Sequence, residues 1–192
     1  MIMLEDLKNN MVIEEQILEK VLLFKPDMHK DERGYFFESF KESIFEENGY
    51  NIRFVQDNEA FSKYSGTLRG LHYQLRKPQG KLLHVVSGAI KDVVVDIRKG
   101  SPDFGKSIMI NLNSASHNMI YIPEGFAHGY LALEDNTIIQ YKCTNYYDSS
   151  SEYGVKWDDE DINIDWDISD PILSDKDKNF PKLKDQNNLP IY

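Results

Sequence analysis

Cysteine is nearly missing from this chain: Cys143 is the only one among 192 residues. An intrachain disulfide is therefore excluded, and a zinc site built on thiolates has too few ligands to close. Long apolar runs are missing as well. No stretch approaches the roughly 18 consecutive apolar residues that a membrane-spanning helix needs. The first ten residues, MIMLEDLKNN, are mixed in charge and lack an apolar core, so they do not read as a secretory signal. Basic residues are scarce beside acidic ones, 22 against 32, for a formal net charge of −10. That balance disfavours nonspecific binding to nucleic acid or to an anionic membrane, both of which call for a basic surface. It leaves room for a small basic pocket that holds one anionic ligand. Internal repeats and low-complexity linkers are absent too, so the expectation is one domain over 1–192 in a soluble, cytoplasmic protein.

What the chain does contain is a series of short alternating runs. Val93, Val95 and Ile97 alternate with Asp92, Asp96 and Arg98; Ile108, Ile110 and Leu112 repeat the period of two, as do Ile120 with Ile122 and Ile139 with Tyr141 and Cys143. Ser87-Gly88, Lys99-Gly100-Ser101-Pro102, Asn113-Ser114, Pro123-Glu124-Gly125 and Glu134-Asp135-Asn136 separate these runs as turns. Short strands at this spacing predict an all-β sandwich or barrel rather than a βαβ fold. One short helix is expected from Ser39 to Asn48, with Phe40, Ile44 and Phe45 on one face and Asn48-Gly49 as its stop. Between Asp158 and Asp177 nine acidic residues face one lysine, Lys176. Within that stretch Ile162, Ile164, Trp166 and Ile168 alternate with polar residues, which predicts an edge strand followed by a packed loop. Pro171, Pro181 and Pro190 suit an irregular C-terminal segment over 158–192.

Three stretches concentrate groups that can do chemistry. GTLRGLHYQ (66–74) holds Arg69 and His72 three residues apart. On a regular strand that spacing puts them on opposite faces, so a bend or bulge at Gly70 is required if both are to line one cavity. IPEGFAHGY (122–130) carries the spacing P-x-G-x-x-H, which resembles the second motif of cupin jelly rolls, with His128 at the histidine. The corresponding first segment reads His72-Tyr73-Gln74 and lacks the histidine pair of metal-binding cupins. Two histidines alone leave a transition metal under-coordinated, so no metal is expected, and His128 stays open as a ligand-binding or a core histidine. Lys81, Tyr141 and Tyr146-Tyr147 form the third group. A histidine and a tyrosine on opposite walls suit removal and return of a proton at a carbon acid. A lysine beside them would stabilise the enolate oxygen, and an aspartate on the histidine would fix its tautomer.

Read together, these stretches resemble the nucleotide-sugar 3,5-epimerases that act on dTDP-4-dehydro-6-deoxyglucose. The resemblance runs through DERGYFFESF (31–40), FVQDN (54–58), GTLRGLHYQ (66–74), the long segment 79–106, IPEGFAHGY (122–130), QYKCTNYY (140–147), WDDEDINIDW (157–166) and LSDKD (173–177). It implies a cupin-type jelly roll with a few short peripheral helices, a core at about 50–150 and an N-terminal strand region at 11–40. It also implies a homodimer with exchanged N-terminal strands and no cofactor. His72 would be the base at C3 and C5, Asp177 its dyad partner, Tyr141 the acid from the opposite face, and Lys81 the group at the C4 oxygen. Contacts to the nucleotide sugar would fall to Arg33, Glu38, Gln56, Asn58, Arg69, His128, Glu152 and Lys176, with Tyr147 stacked on the thymine. Glu59, Ala60 and Phe61 depart from the small and hydroxyl residues usual in that family, which bears on the pocket wall or a dimer contact. Three readings compete with double epimerisation: epimerisation at one carbon, a 3,4-ketoisomerase on the same scaffold, and a sugar-binding cupin without activity.

Overall fold

The computed structural model describes residues 12–192, the first six of them through their backbone only. Met11, where the expected N-terminal strand region begins, lies outside the described residues. Among the described residues thirteen strands follow one another: β1 (Val12–Ile17), β2 (Val21–Lys25), β3 (His29–Asp31), β4 (Gly34–Phe36), β5 (Gln56–Ser62), β6 (Leu68–Gln74), β7 (Lys81–Ser87), β8 (Ala89–Asp96), β9 (Ser107–Asn113), β10 (Met119–Ile122), β11 (Phe126–Ala132), β12 (Thr137–Cys143) and β13 (Glu152–Gly154). Two antiparallel sheets carry most of them, ordered β1-β2-β10-β7-β12-β5 and β13-β6-β11-β8-β9. Sequence neighbours repeatedly cross from one sheet to the other, which makes the architecture a jelly roll. The strands β1 and β2, expected to exchange between subunits, here extend the sheet of their own chain through β2 on β10.

Alternation explains the layers. Leu83, Val85, Ile90, Val94, Leu112, Ile120, Ile122, Phe126, Tyr130 and Ile139 fill the space between the sheets. Leu22, Phe24, Leu82, Met119 and Tyr121 face the other way from the six-stranded sheet and are capped by Ile44 and Phe45 of α1 (Glu42–Glu47). That helix is shorter than expected. Lys41 precedes it without a side-chain cap, and the amides of Asn48 and Gly49 close its last turn on Phe45 and Glu46.

The outer face of the five-stranded sheet is covered by the acidic C-terminal segment. Val93, Val95 and Ile97 pack there with Leu71, Val155, Ile162, Trp166 and Leu183. Strand β8 is therefore buried on both faces, and its aspartates point inward rather than to solvent. Asp96 survives there because Arg98 grips it twice, at 3.0 and 2.6 Å, and Ser101 donates a further bond at 2.6 Å. The edge strand expected over 162–168 does not form. Asn163 and Asp167 take left-handed φ of 55° and 57°, which breaks an extended run, and the isoleucines and tryptophan reach the core from turns instead. The indole of Trp166 donates to the Trp157 carbonyl at 2.8 Å, so this polar-rich stretch is pinned in place.

Candidate active site

Strands β6 and β11 build one wall. Their register pairs His72 with His128, then Arg69 with Tyr130, so three steps on β6 match two on β11. That bulge puts Arg69 and His72 on one side, and both line a cleft of about 510 Å³. Glycine is required at the crossing. A Cβ on Gly70, whose φ is +131°, would stand 2.5 Å from the Gly129 Cα, and one on Gly129 would stand 2.8 Å from the Arg69 carbonyl. Gly70 and Gly129 thus allow the same close crossing of β6 and β11, which positions Arg69 and His72.

The His72 ring is held from two directions. Its Nε2 lies 2.7 Å from Asp177 Oδ1, and the ring of Phe180 meets it edge-on at 5.6 Å between centroids. Asp177 comes from α2 (Asp175–Lys178), where Ser174 caps the helix by accepting from the Asp177 amide at 3.1 Å. Its side chain is only 5% exposed, against 29% for His72. Burial pushes the Asp177 carboxyl up, but the hydrogen bond and charge of His72, with help from the Gly70 amide and Ser174, outweigh it and hold the carboxyl below its usual value. A charged carboxylate accepts, so His72 donates from Nε2 and its basic lone pair is on Nδ1.

The opposite wall belongs to the other sheet. Lys81 opens β7 and Tyr141 lies on β12; Cys143 pairs with Lys81 and Tyr141 with Leu83, which places the two side chains diagonally on the same face. Both line the cleft with His72 and His128. A second cavity of about 110 Å³, lined by the same four residues with Gln74 and Tyr147, adjoins it. The Lys81 ammonium makes no ion pair or hydrogen bond among the described residues. Burial pulls its ammonium pKa down, opposed by Cys143, Asp92 and Glu152. Burial, with Cys143 and Tyr130 adding to it, pushes the Tyr141 phenol up to about 12, so it is protonated at neutral pH.

His128 is held by an aspartate that the sequence did not single out. Its Nε2 lies 2.8 Å from Asp92 Oδ2, and both groups are buried. Burial depresses the His128 pKa more than Asp92 raises it, and Lys81 and His72 add to the depression. In the sequence Asp92 stands out only as a polar residue alternating with Val93; the signal that would find it is its place two residues before Val94 on a strand covered on both sides. Phe180 was missed too, because nothing in its local sequence ties it to residue 72.

The remaining expected contacts divide. Glu152 joins the cleft and bonds both the Lys176 ammonium and the Tyr147 hydroxyl, the latter at 2.5 Å. Gln56 accepts from the Tyr147 amide at 3.0 Å and donates to Asn58 at 2.9 Å, and Asn58 stands across from Tyr141. These five residues form one connected edge. Arg33 and Glu38 are elsewhere. Arg33 sits on the β3–β4 hairpin, 85% exposed and bound to Asp31, and Glu38 pairs with Lys41 at 3.5 Å. Neither lines the cleft of its own chain, because the hairpin forms a separate two-stranded sheet. Of the departing residues, Ala60 lines the cleft, whereas Phe61 is half exposed outside it.

The model of a family described as dTDP-4-dehydrorhamnose 3,5-epimerase matches residues 15–185. A dTDP-4-dehydrorhamnose 3,5-epimerase of Methanothermobacter thermautotrophicus is 48% identical over 178 residues, 91% of this chain and 94% of that protein. The crystal structure of a dTDP-6-deoxy-D-glucose-3,5-epimerase from Legionella pneumophila, in complex with dTDP-4-keto-L-rhamnose, superposes with a TM-score of 0.91 at 40% identity, covering 95% of this chain and 99% of the other. A 3'-monoepimerase from Streptomyces bikiniensis in complex with dTDP-quinovose has a TM-score of 0.85 at 33% identity, covering 96% and 93%.

Proposed function

The chain belongs to the dTDP-4-dehydrorhamnose 3,5-epimerase family, and from that premise we propose that it converts dTDP-4-dehydro-6-deoxy-D-glucose to dTDP-4-dehydro-L-rhamnose. The observation that supports this most is the placement of His72 and Tyr141 on different sheets around one cleft. The C4 ketone of such a sugar acidifies the C–H bonds at C3 and C5. His72 takes the proton from one face, and Asp177 stabilises the imidazolium that results. The electron pair moves onto the C4 oxygen, where the unpaired and desolvated Lys81 ammonium stabilises the enolate. Tyr141 returns a proton from the opposite wall, which inverts the carbon. The same groups serve the second carbon once the ring shifts, and the enolate needs only these charges to form.

Arg69 and Lys176 supply positive charge for a diphosphate, and Tyr147 an aromatic face for the base, which lets an acidic protein take an anionic substrate. His128, Glu152, Gln56 and Asn58 complete the contacts. Arg33 and Glu38 reach a substrate only if a second copy brings them, and Tyr35 and Phe36 beside Arg33 are exposed aromatics suited to packing on such a copy. We read the protein as a homodimer of single-domain chains in the cytoplasm; among the described residues no helix is long and apolar enough to cross a membrane.

Incubation with dTDP-4-dehydro-6-deoxyglucose in D₂O, followed by NMR, tests the reading. Deuterium at both C3 and C5 is expected. Incorporation at one carbon only would make this a single-carbon epimerase, as the likeness to the 3'-monoepimerase allows. Tight binding with no exchange would make it a sugar-binding protein.

A further inference from the structure

We propose that the Tyr130 hydroxyl is a specificity-determining group of the cleft, hydrogen-bonding a hydroxyl of the bound sugar at C2 or C3. The proposal rests on the epimerase reading. Among the described residues two buried side-chain polar atoms have no hydrogen-bond partner, Asp92 Oδ1 and Tyr130 Oη. Only Tyr130 lines the cleft. The residue is 5% exposed, and it follows His128 by two on β11, so its side chain shares the catalytic wall.

Its polar neighbours make their hydrogen bonds elsewhere. Arg69 donates to the Phe61 carbonyl at 2.9 Å and to Ser62 Oγ at 3.5 Å. The Ser62 hydroxyl and the Arg69 guanidinium lie near enough to offset part of the upward push of burial on the phenol, yet Tyr130 Oη has no partner at hydrogen-bonding distance and angle among the described residues. Ala60, Leu83 and Ile139, which complete this part of the cleft, have no polar side-chain atoms to offer. A buried hydroxyl without a partner is destabilising relative to a phenylalanine that keeps the same ring packing. The hydroxyl is therefore best matched by a polar group that arrives with the ligand. The sugar offers hydroxyls at C2 and C3 beside the reacting carbons, while its C4 oxygen is matched to Lys81.

The test compares wild type with Tyr130→Phe on three nucleotide sugars: the parent 4-keto sugar, its 2-deoxy analogue and its 3-deoxy analogue. Deuterium exchange at C5, a position all three retain, is the readout. The variant should lose about tenfold in kcat/KM on the parent sugar, the scale of one hydrogen bond between neutral groups. That loss should vanish on the one analogue that lacks the partner hydroxyl. An equal loss on all three sugars, or no loss on the parent, overturns the assignment. The ligand-free variant should melt at or above the wild-type temperature; a lower melting temperature would make the hydroxyl structural and overturn it as well. Wild type that exchanges none of the sugars fells the epimerase reading and this assignment together, whereas normal wild-type exchange with an unaffected variant fells the assignment alone.

Discussion

His72 on β6 and Tyr141 on β12 come from different sheets of the jelly roll and line the same cleft. A proton can therefore leave a carbon toward one wall and return from the other. The histidine is oriented by Asp177 at 2.7 Å, and the tyrosine keeps its proton because burial raises its pKa to about 12. Lys81 adds a positive charge from the tyrosine's side. The division of labour between sheets is what ties the fold to an inverting reaction.

Replacing His72 with alanine removes the histidine that Asp177 orients and that lines both cavities. Exchange at C3 and C5 should both fall by at least about 10³-fold, within the range for a positioned general base. Survival of exchange at either carbon in the NMR assay would show that a second base serves that carbon.

Asp177→Asn tests the dyad by pH as well as by rate. The folded carboxyl is held below its unfolded value, so its contribution to stability is complete above about pH 4 and fades as pH falls through the lower folded value. Acid titration of the folded fraction should thus be flatter below about pH 4 in the variant than in wild type. Activity should fall while KM changes little, since the carboxylate acts through His72. A rise in KM with kcat unchanged would assign Asp177 to binding.

Lys81 is a group that the site keeps at a cost to the fold. Its pKa is lowered by burial, so folding disfavours its protonated form; the penalty is full below the folded pKa and disappears as pH rises toward the unfolded value near 10.4. Lys81→Met should melt higher than wild type at pH 7, with the difference shrinking above about pH 10, and should lose exchange at both carbons. A variant less stable at pH 7 would mean that the ammonium is a structural partner.

The backbone crossing at Gly70 yields a stability prediction. Gly70→Ala would force a Cβ to 2.5 Å from Gly129 Cα in a left-handed conformation. Denaturant unfolding should show a loss on the order of 3 kcal/mol, with activity lost together with it because Arg69 and His72 flank the bulge. Wild-type stability would show that β6 and β11 separate easily.

Much of this was legible in the sequence where local pattern and chemistry agree. Period-two alternation located β8, β9, β10 and β12, and the bulge at Gly70 was required by the spacing of Arg69 and His72. Arg69, His72, Lys81, His128 and Tyr141 stood out by their chemistry, but Asp177 was legible only through family resemblance, because it lies 105 positions from His72 and its partnership is set by packing of the C-terminal segment. The same packing misled the reading of 162–168, whose alternation looks like a strand. Two left-handed residues turn it into a cover for Val93 and Val95, while Asp92 on the opposite face of β8 turns inward to His128. Arg33 and Glu38 illustrate the other limit: a motif match assigns a role, but one chain does not carry those side chains to its own cleft.

Tyr141→Phe in D₂O tests the central claim most directly. NMR follows, for the same sample, the rate of deuterium entry at C3 and C5 and the rate at which each centre inverts. If Tyr141 is the acid on the wall facing His72, inversion should slow far more than proton abstraction, leaving exchanged but uninverted sugar. An equal loss of exchange and inversion would contradict the opposed-wall account.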